Sequence, residues 1–118
     1  MEKKMFVTIT GIGHYYGEKP FEIGTVVRLR KEFDNEYDDE AIMVEMPYIG
    51  KVGYIANGYK TIAKGTMSAG RLYDKIANIA FARVMFVFGS TVIAEVLEDD
   101  IIIRGKVFDD IEIKVEWD

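Results

Sequence analysis

The chain has 118 residues, enough for one domain with a sizeable core and too few for two. Its hydrophobic content of 49% and its two prolines exclude a disordered chain. It has no cysteine and one histidine, which excludes disulfide bonds, thiol catalysis and the usual zinc frameworks. No apolar run approaches the ~20 residues of a membrane span, and no signal-peptide cleavage region follows the start, so we expect a cytoplasmic protein without a membrane partner.

The distribution of charge matters more than its sum. The net charge of −5 and the isoelectric point near 4.9 are the wrong sign for a protein that coats nucleic acid. Residues 1–94, however, hold 12 Lys/Arg and 11 Asp/Glu, whereas residues 95–118 hold 3 and 9. The body of the chain is therefore close to neutral and presents either a basic face or a mixed, solvated surface.

Alternation and β-branched residues predict four strands in the first half of the chain, at 5–10, 24–31, 41–45 and 51–55. The glycine-rich loop after the first strand, 11–20, places His14, Tyr15 and Tyr16 in a row on irregular backbone. Its glycines allow a ligand to approach the main chain closely, or they serve turn geometry with one tyrosine buried. The residues alone do not decide between these two readings.

The loop between the second and third strands is the stretch around which the chain is organised. Asp34 and Asn35 suit the Asx turns of a tight loop, and one aromatic side chain, Tyr37, stands among acids. An aromatic residue at the tip of a loop held by strands is typical of a binding site. The alternative is a simple connection in which Tyr37 folds back as a lid on the core.

The periodicity changes after the fourth strand. Asn57 is predicted to cap a short helix that ends at Gly65, and Ser68 is predicted to cap a second one. On these helices two basic pairs fall at i, i+4 and should each project from one side: Lys60 with Lys64, and Arg71 with Lys75. They are either phosphate contacts or ordinary solvated surface.

The last third predicts a long strand at 79–88, an extended segment at 92–96, another at 101–104 and an alternating strand at 111–117. The charged face of that final strand would prevent other chains from pairing with a sheet edge. Seven or eight short strands with a helical pair after the fourth predict a mainly β protein, a small and partly open barrel.

Catalysis is not expected. His14 has no serine or cysteine nucleophile motif near it. Adjacent carboxylates such as Asp38 and Asp39 would point to opposite faces of a strand and make a poor general acid and base. No Gly-x-x-x-x-Gly-Lys-Ser/Thr motif of an ATPase is present, and no spacing indicates a metal site. We expect a non-enzymatic protein without a cofactor.

Three motifs, in this order, together resemble the HIRAN domain. They are Gly11-Ile12-Gly13-His14-Tyr15-Tyr16-Gly17, Asp34-Asn35-x-Tyr37-Asp38-x-x-Ala41-Ile42-x-Val44 and Gly50-Lys51-Val52-Gly53-Tyr54. The resemblance implies an OB-like β-barrel with helices closing one end, as a single domain over 1–118. Residues 90–110 have no counterpart in the family pattern and are interpreted as an added hairpin.

The resemblance also implies a function, which is binding of single-stranded DNA at its free 3′ end in repair or replication-fork processing, with a helicase or repair protein as a further partner. By position, Tyr37 matches the aromatic on which a base stacks and Asp38 the carboxylate that accepts from the 3′-hydroxyl. The other residues of the implied end-binding site are Tyr15, Phe88, His14 and Tyr54, with phosphate contacts at Lys51, Lys60, Lys64 and Arg71.

The chain departs from the family where end-binding members carry an arginine ahead of the loop tyrosines, because it has Gly13 or His14 there. The alternative hypothesis is a protein–protein interaction domain that keeps the barrel. Such a domain would bind its partner through the acidic C-terminal segment or an edge strand, and the excess of acids after residue 94 motivates it.

Overall fold

The structure is a computed structural model that describes residues 4–97. They form six antiparallel strands and one short α-helix: β1 (Phe6–Thr10), β2 (Val26–Lys31), β3 (Ile42–Met46), β4 (Gly50–Ile55), α1 (Ala69–Tyr73), β5 (Ile79–Phe88) and β6 (Thr91–Val96). A 3-10 helix, Ile12–His14, follows β1. The prediction of a mainly β protein is confirmed, and the strand bounds agree with those predicted to within two residues.

The strands close into a barrel in the order β1-β4-β3-β2-β5-β6. The prediction of a partly open barrel is wrong, because β6 pairs with β5 on one side and with β1 on the other, from Phe6 opposite Glu95 to Ile9 opposite Val92. The first residues of the predicted added hairpin, Thr91–Val96, thus form a barrel strand. The rest of that hairpin, the segments at 101–104 and 111–117 and most of the acidic tail lie outside the described residues.

The first of the two predicted helices is absent, and residues 57–65 form turns instead. Asn57 does not cap a helix, because its side chain bonds to Asp38 and to the backbone N–H of Gly70. The backbone N–H of Ala63 donates to the hydroxyl of Thr8 on β1, at 3.0 Å, rather than along a helix. Tertiary hydrogen bonds have replaced the intrahelical ones that the local sequence favours.

The second predicted helix is present as α1. The hydroxyl of Ser68 accepts a hydrogen bond from the N–H of Arg71, 3.2 Å away, which is the N-cap that the sequence predicts. Ala69 and Leu72 are fully buried and hold this single turn against the barrel. None of the helices within residues 4–97 is long and apolar enough to cross a membrane.

The core fills the barrel from alternate positions of the strands. On β2, Val27 and Leu29 are fully buried, whereas Arg28 and Arg30 face outward and both pair with Glu45 of β3. This alternation is the one that the sequence predicts for β2. The outward face of the barrel is therefore partly neutralised by ion pairs.

Candidate functional site

Strand register brings two of the predicted loops to the two sides of Tyr54 on β4. Tyr54 is paired with Thr10, the last residue of β1, and with Met43 near the start of β3. The glycine-rich loop begins directly after Thr10, and the loop 32–40 is separated from Ile42 only by Ala41. Because neighbouring strands lie about 4.8 Å apart, the two loops leave the barrel on either side of one residue.

The loop 32–40 is shaped by the side chain of Asn35. Its Oδ1 accepts hydrogen bonds from the backbone N–H groups of Tyr37 (2.8 Å) and Asp38 (2.9 Å), and its Nδ2 donates to Glu32, 2.8 Å away. This is the Asx turn that the sequence predicts. The ring of Tyr37 is 94% exposed, so its alternative role as a lid on the core is wrong.

The carboxylate of Asp38 is fixed from two directions. One oxygen accepts the backbone N–H of Glu40 at 2.9 Å, and the other accepts the side-chain amide of Asn57 at 3.0 Å. Asn57 in turn accepts the N–H of Gly70 at 2.8 Å, so the orientation of Asp38 is tied to the start of α1. A chain of hydrogen bonds that is satisfied at every link holds its members in place.

These residues line an open pocket of about 340 Å³, which is within the range of small-ligand sites. Its walls are aromatic, polar and aliphatic side chains: Asn35, Tyr37, Asp38, Ala41, Tyr54, Ile55 and Asn57. We refer to it as the Tyr37 pocket. Of the predicted end-binding residues, it brings together Tyr37, Asp38 and Tyr54.

Tyr54, which lines this pocket, forms a hydrogen-bonded triad with Glu32 and Lys51, which do not line it. Glu32 accepts the hydroxyl of Tyr54 at 2.6 Å and the ammonium of Lys51 at 2.9 Å, and Lys51 also lies 2.7 Å from the Tyr54 oxygen. Burial alone would raise the pKa of Glu32, but hydrogen bonds from Tyr54, Asn35 and Lys51 outweigh it and hold the pKa at about 2.

The same contacts determine the charge state of the other two members. Burial disfavours the charged form of Lys51, yet its hydrogen bonds to Tyr54 and Glu32 raise its pKa above the ordinary value. Burial and the bond to Glu32 raise the pKa of Tyr54. Lys51 is therefore a cation already paired with a carboxylate, and as a predicted phosphate contact it is largely neutralised.

The glycine-rich loop packs across β4 near the pocket. A Cβ on Gly53 would lie 2.9 Å from the carbonyl oxygen of Thr10 and 3.1 Å from the side chain of Ile12, so only glycine allows this close approach. His14 is exposed on the 3-10 helix, and Tyr15 after it is 39% exposed. Both are available to a ligand, although neither lines the Tyr37 pocket.

Phe88 does not line the Tyr37 pocket. It pairs with Thr91 at the tip of the β5–β6 turn, and the next residue of β6, Val92, lies opposite Ile9 of β1. Thr10, which follows Ile9, pairs with Tyr54 of the pocket, so Phe88 lies three strand spacings from Tyr54, or roughly 14 Å. Its side chain is 84% exposed, and its role as a second stacking aromatic stays a prediction.

The remaining predicted phosphate contacts lie on the segment that follows β4. Lys60 and Lys64 are exposed in the turns of 57–65, so the i, i+4 argument for their shared face fails with the missing helix. Arg71 is exposed on α1 and lines a separate pocket together with Lys4. Within residues 4–97, no group of three or more His, Cys, Asp or Glu side chains is placed to hold a metal ion.

Sequence reasoning missed the two residues that connect the site. Asn57 was interpreted as a helix cap, and Glu32 was given no role, although each makes its contacts across 13 to 22 residues of sequence. An asparagine between the end of a strand and Gly58 was the only local signal. Long-range partners of this kind are set by strand register, which single residues do not reveal.

Comparisons with known proteins support the fold. A crystal structure of a protein from Lactobacillus plantarum, a structural genomics target, has a TM-score of 0.57 at 23% identity, covering 78% of this chain and 88% of that one. The crystal structure of the HIRAN domain of human HLTF has a TM-score of 0.53 at 21% identity, covering 79% and 74%. No curated protein matches the chain.

At such identities, the two solved structures show a shared fold and no more. The family model of the HIRAN domain, in contrast, matches residues 3–87, which is most of the 118-residue chain. These residues contain all three motifs, β1 to β4, all but the last residue of β5 and the complete Tyr37 pocket. The chain therefore belongs to the HIRAN domain family, which is known as a nucleic-acid-binding module.

Proposed function

We propose that this domain binds single-stranded DNA by its free 3′ end in the Tyr37 pocket. The observation that carries the proposal is a 94% exposed tyrosine ring directly followed by a carboxylate that two hydrogen bonds hold at the wall of an open pocket. The ring of Tyr37 stacks on the terminal base. The carboxylate of Asp38 accepts a hydrogen bond from the 3′-hydroxyl.

The choice of an end over an interior strand follows from the chemistry of Asp38. A carboxylate has about four acceptor positions, and the protein occupies two of them, so a ligand donor can still be bound. A free 3′-hydroxyl is such a donor. An internal nucleotide presents a phosphodiester at that position, which offers no donor and is repelled by the negative charge.

Stacking supplies affinity without sequence preference. Contact between a base and an aromatic ring contributes about 1–3 kcal/mol and tolerates every base. Lys60 and Lys64 are exposed beyond Asn57 and contact phosphates that precede the end. We assign the domain to repair or replication-fork processing, where free 3′ ends arise, with a helicase or repair protein as its partner.

Fluorescence anisotropy with 5′-labelled oligonucleotides tests the proposal. The wild-type protein should bind a strand with a 3′-hydroxyl more tightly than the same strand with a 3′-phosphate. Asp38→Asn should abolish this preference, because the neutral amide no longer repels the phosphate and accepts more weakly from the hydroxyl. Asp39→Asn, an equal change of charge at an exposed neighbour, is the matched control and should keep the preference.

The stacking role is tested separately. Tyr37→Ala should weaken binding to both strands about 5- to 150-fold, the equivalent of about 1–3 kcal/mol. Tyr48→Ala removes a similarly exposed ring from the turn between β3 and β4, outside the lining of the pocket, and should leave the affinity for both strands unchanged. Equal affinity of the wild-type protein for hydroxyl and phosphate ends would refute end capture, and equal losses in the two alanine variants would move the site away from the pocket.

A further inference from the structure

A second pocket, of about 370 Å³, lies between the start of β1 and the residues that lead into α1. Lys4 and Arg71 line it, and none of its lining residues within 4–97 is acidic. We refer to it as the Lys4–Arg71 pocket. Its wall is well fixed, because the N–H of Met67 donates to Phe6 O at 2.7 Å and the hydroxyl of Thr66 bonds to Thr8 and to Ala63 O, also at 2.7 Å.

The two cations of this pocket lack anionic partners. Within residues 4–97, neither the ammonium of Lys4 nor the guanidinium of Arg71 makes an ion pair or a hydrogen bond. Lys51 and Arg30 differ, because each is paired with a glutamate. Two unpaired cations on one acid-free concave surface attract an anion, and their side chains are free to bind it.

The Lys4–Arg71 pocket and the Tyr37 pocket lie on two sides of the same helical turn. Asn57, in the wall of the Tyr37 pocket, accepts the N–H of Gly70, and Arg71 is the next residue. A helix with its side chains is about 10–12 Å across. That span corresponds to about three nucleotides of a stacked strand at ~3.4 Å each.

The segment that joins the two pockets along the chain is basic as well. Residues 56–73 contain Lys60, Lys64 and Arg71 and no Asp or Glu. Lys60 and Lys64 are exposed between Asn57 in one pocket and Gly65 in the other. That segment therefore has no carboxylate of its own to repel a phosphate chain, and the carboxylate of Glu40, from the loop 32–40, lies against Gly70.

We propose that the Lys4–Arg71 pocket binds a backbone phosphate of the same strand, about three nucleotides before the 3′ end. The inference rests on the proposed function of the Tyr37 pocket and gives it a direction: the strand runs 5′ to 3′ from the Lys4–Arg71 pocket, past α1, to Asp38. The pocket is a phosphodiester site without base recognition, since Lys4 and Arg71 offer only donors.

The experiment compares two strand lengths and two double variants. Lys4→Gln with Arg71→Gln removes the proposed contacts, and Lys19→Gln with Lys75→Gln removes two other exposed charges as a matched control. Affinities for a 5′-labelled thymidine dinucleotide and hexanucleotide, both with 3′-hydroxyl ends, are measured by anisotropy over a series of salt concentrations. Circular dichroism checks that both variants, which change only exposed side chains, remain folded.

We expect the first double variant to bind the hexanucleotide about 4- to 25-fold more weakly, at two- to five-fold for each exposed charge. Its plot of log affinity against log salt should be shallower by about 1.4, at 0.7 for each lost contact to a single strand. The dinucleotide, too short to reach both pockets, should be unaffected. Equal losses in the two double variants, or equal losses for the two lengths, would overturn the proposal.

A hexanucleotide with a 3′-phosphate separates this inference from the proposed function. If the wild type prefers the hydroxyl end but the salt dependence is the same in both double variants, end capture stands and the phosphate site is refuted. If the hydroxyl preference is absent while Lys4→Gln with Arg71→Gln still flattens the salt dependence, end capture is refuted and an anion site remains. Inorganic phosphate as competitor, effective only at far higher concentration than the strand, would distinguish the phosphodiester from a free-phosphate site.

Discussion

The two segments that meet at the Tyr37 pocket, the loop 32–40 and the segment 56–73 that ends with α1, have opposite charge and are held in place differently. Residues 32–40 contain six acids and no base, whereas residues 56–73 contain three bases and no acid. Within the acidic loop, no residue from 33 to 40 is buried, and its shape depends on hydrogen bonds of Asn35 and Asp38. The basic segment is instead anchored by Ala56, Ala69 and Leu72, all fully buried.

Under the proposed function, this difference would explain how an acidic protein binds nucleic acid. The excess of acids lies in residues 95–118, whereas residues 1–94 are close to neutral. Within these, the acids of residues 32–40 lie where a strand would end, and residues 56–73, which contain no Asp or Glu, lie where its phosphates would run. Two walls of opposite sign around one pocket orient a polar ligand better than one charged face does. The overall isoelectric point therefore carries little information about this site.

The largest expected effect comes from removing the apolar anchor of the basic segment. Leu72→Ala deletes a fully buried side chain and should lower the free energy of unfolding by about 2–5 kcal/mol. Phe33→Ala in the acidic loop, where the ring is 69% exposed, should change it by less than about 0.5 kcal/mol. Urea denaturation measures both. Similar values for the two would show that the segments are not held differently.

A smaller effect is expected where the two regions are joined. Asn57→Ala removes the bonds to Asp38 and to the N–H of Gly70 and should cost about 1–2 kcal/mol of folding free energy. It should also reduce the preference for a 3′-hydroxyl, because Asp38 loses its support. The exposed Asn78, changed to Ala, is the control for both measurements. A variant that keeps the full hydroxyl preference would show that Asp38 is positioned without Asn57.

An effect of similar size should appear as a pH dependence of stability. The pKa of Glu32 is about 2 in the folded protein against an ordinary 4.5, so its ionised form stabilises the fold above pH 4.5. This contribution is lost as the pH falls from 4.5 towards 2. Because solvent screens a partly accessible pair, we expect about 1–2 kcal/mol rather than the full shift.

The matched variants for this prediction are Glu32→Gln and Glu36→Gln. The stability difference between wild type and Glu32→Gln, measured by urea denaturation at a series of pH values, should shrink through the window from pH 4.5 to 2. The exposed Glu36 makes no such contacts in the structure, and its variant should follow the wild type. A constant difference between wild type and Glu32→Gln would refute the triad as a stabilising unit.

Most of the barrel could be predicted from sequence because strand alternation is local. The strand at 79–88 and the cap at Ser68 were predicted at the positions where the structure has them. The helix at 57–65 was not, because Thr8 and Gly70 compete for its hydrogen-bonding groups from distant positions. Closure of the barrel by β6 was missed for a related reason, because the pairing of Phe6 with Glu95 joins the first strand to the last, far apart in sequence.

The candidate site was predictable in part. The motif around Tyr37 gave the exposed ring and the Asx turn, because both depend on neighbours within three residues. Placing Phe88 beside it was an inference from the family resemblance, and the pairing of β6 with β5 and with β1 leaves Phe88 on the side of Thr10, outside the lining of the pocket. The pairing of Lys51 with Glu32 likewise depends on register, not on any motif.

One consequence of the β1–β6 pairing concerns the way in which any chain can attach. Every described strand, β1 to β6, has a hydrogen-bonded neighbour on each side. Partners that bind by adding a strand of their own need a row of unsatisfied backbone groups. Within residues 4–97, strands that pair on one side only are short stretches such as 85–88 of β5, beyond its pairing with β2, and 50–53 of β4, beyond its pairing with β1. A partner strand would therefore meet only short edges, and side chains and turns make up most of the surface on which this part of the molecule can bind a ligand.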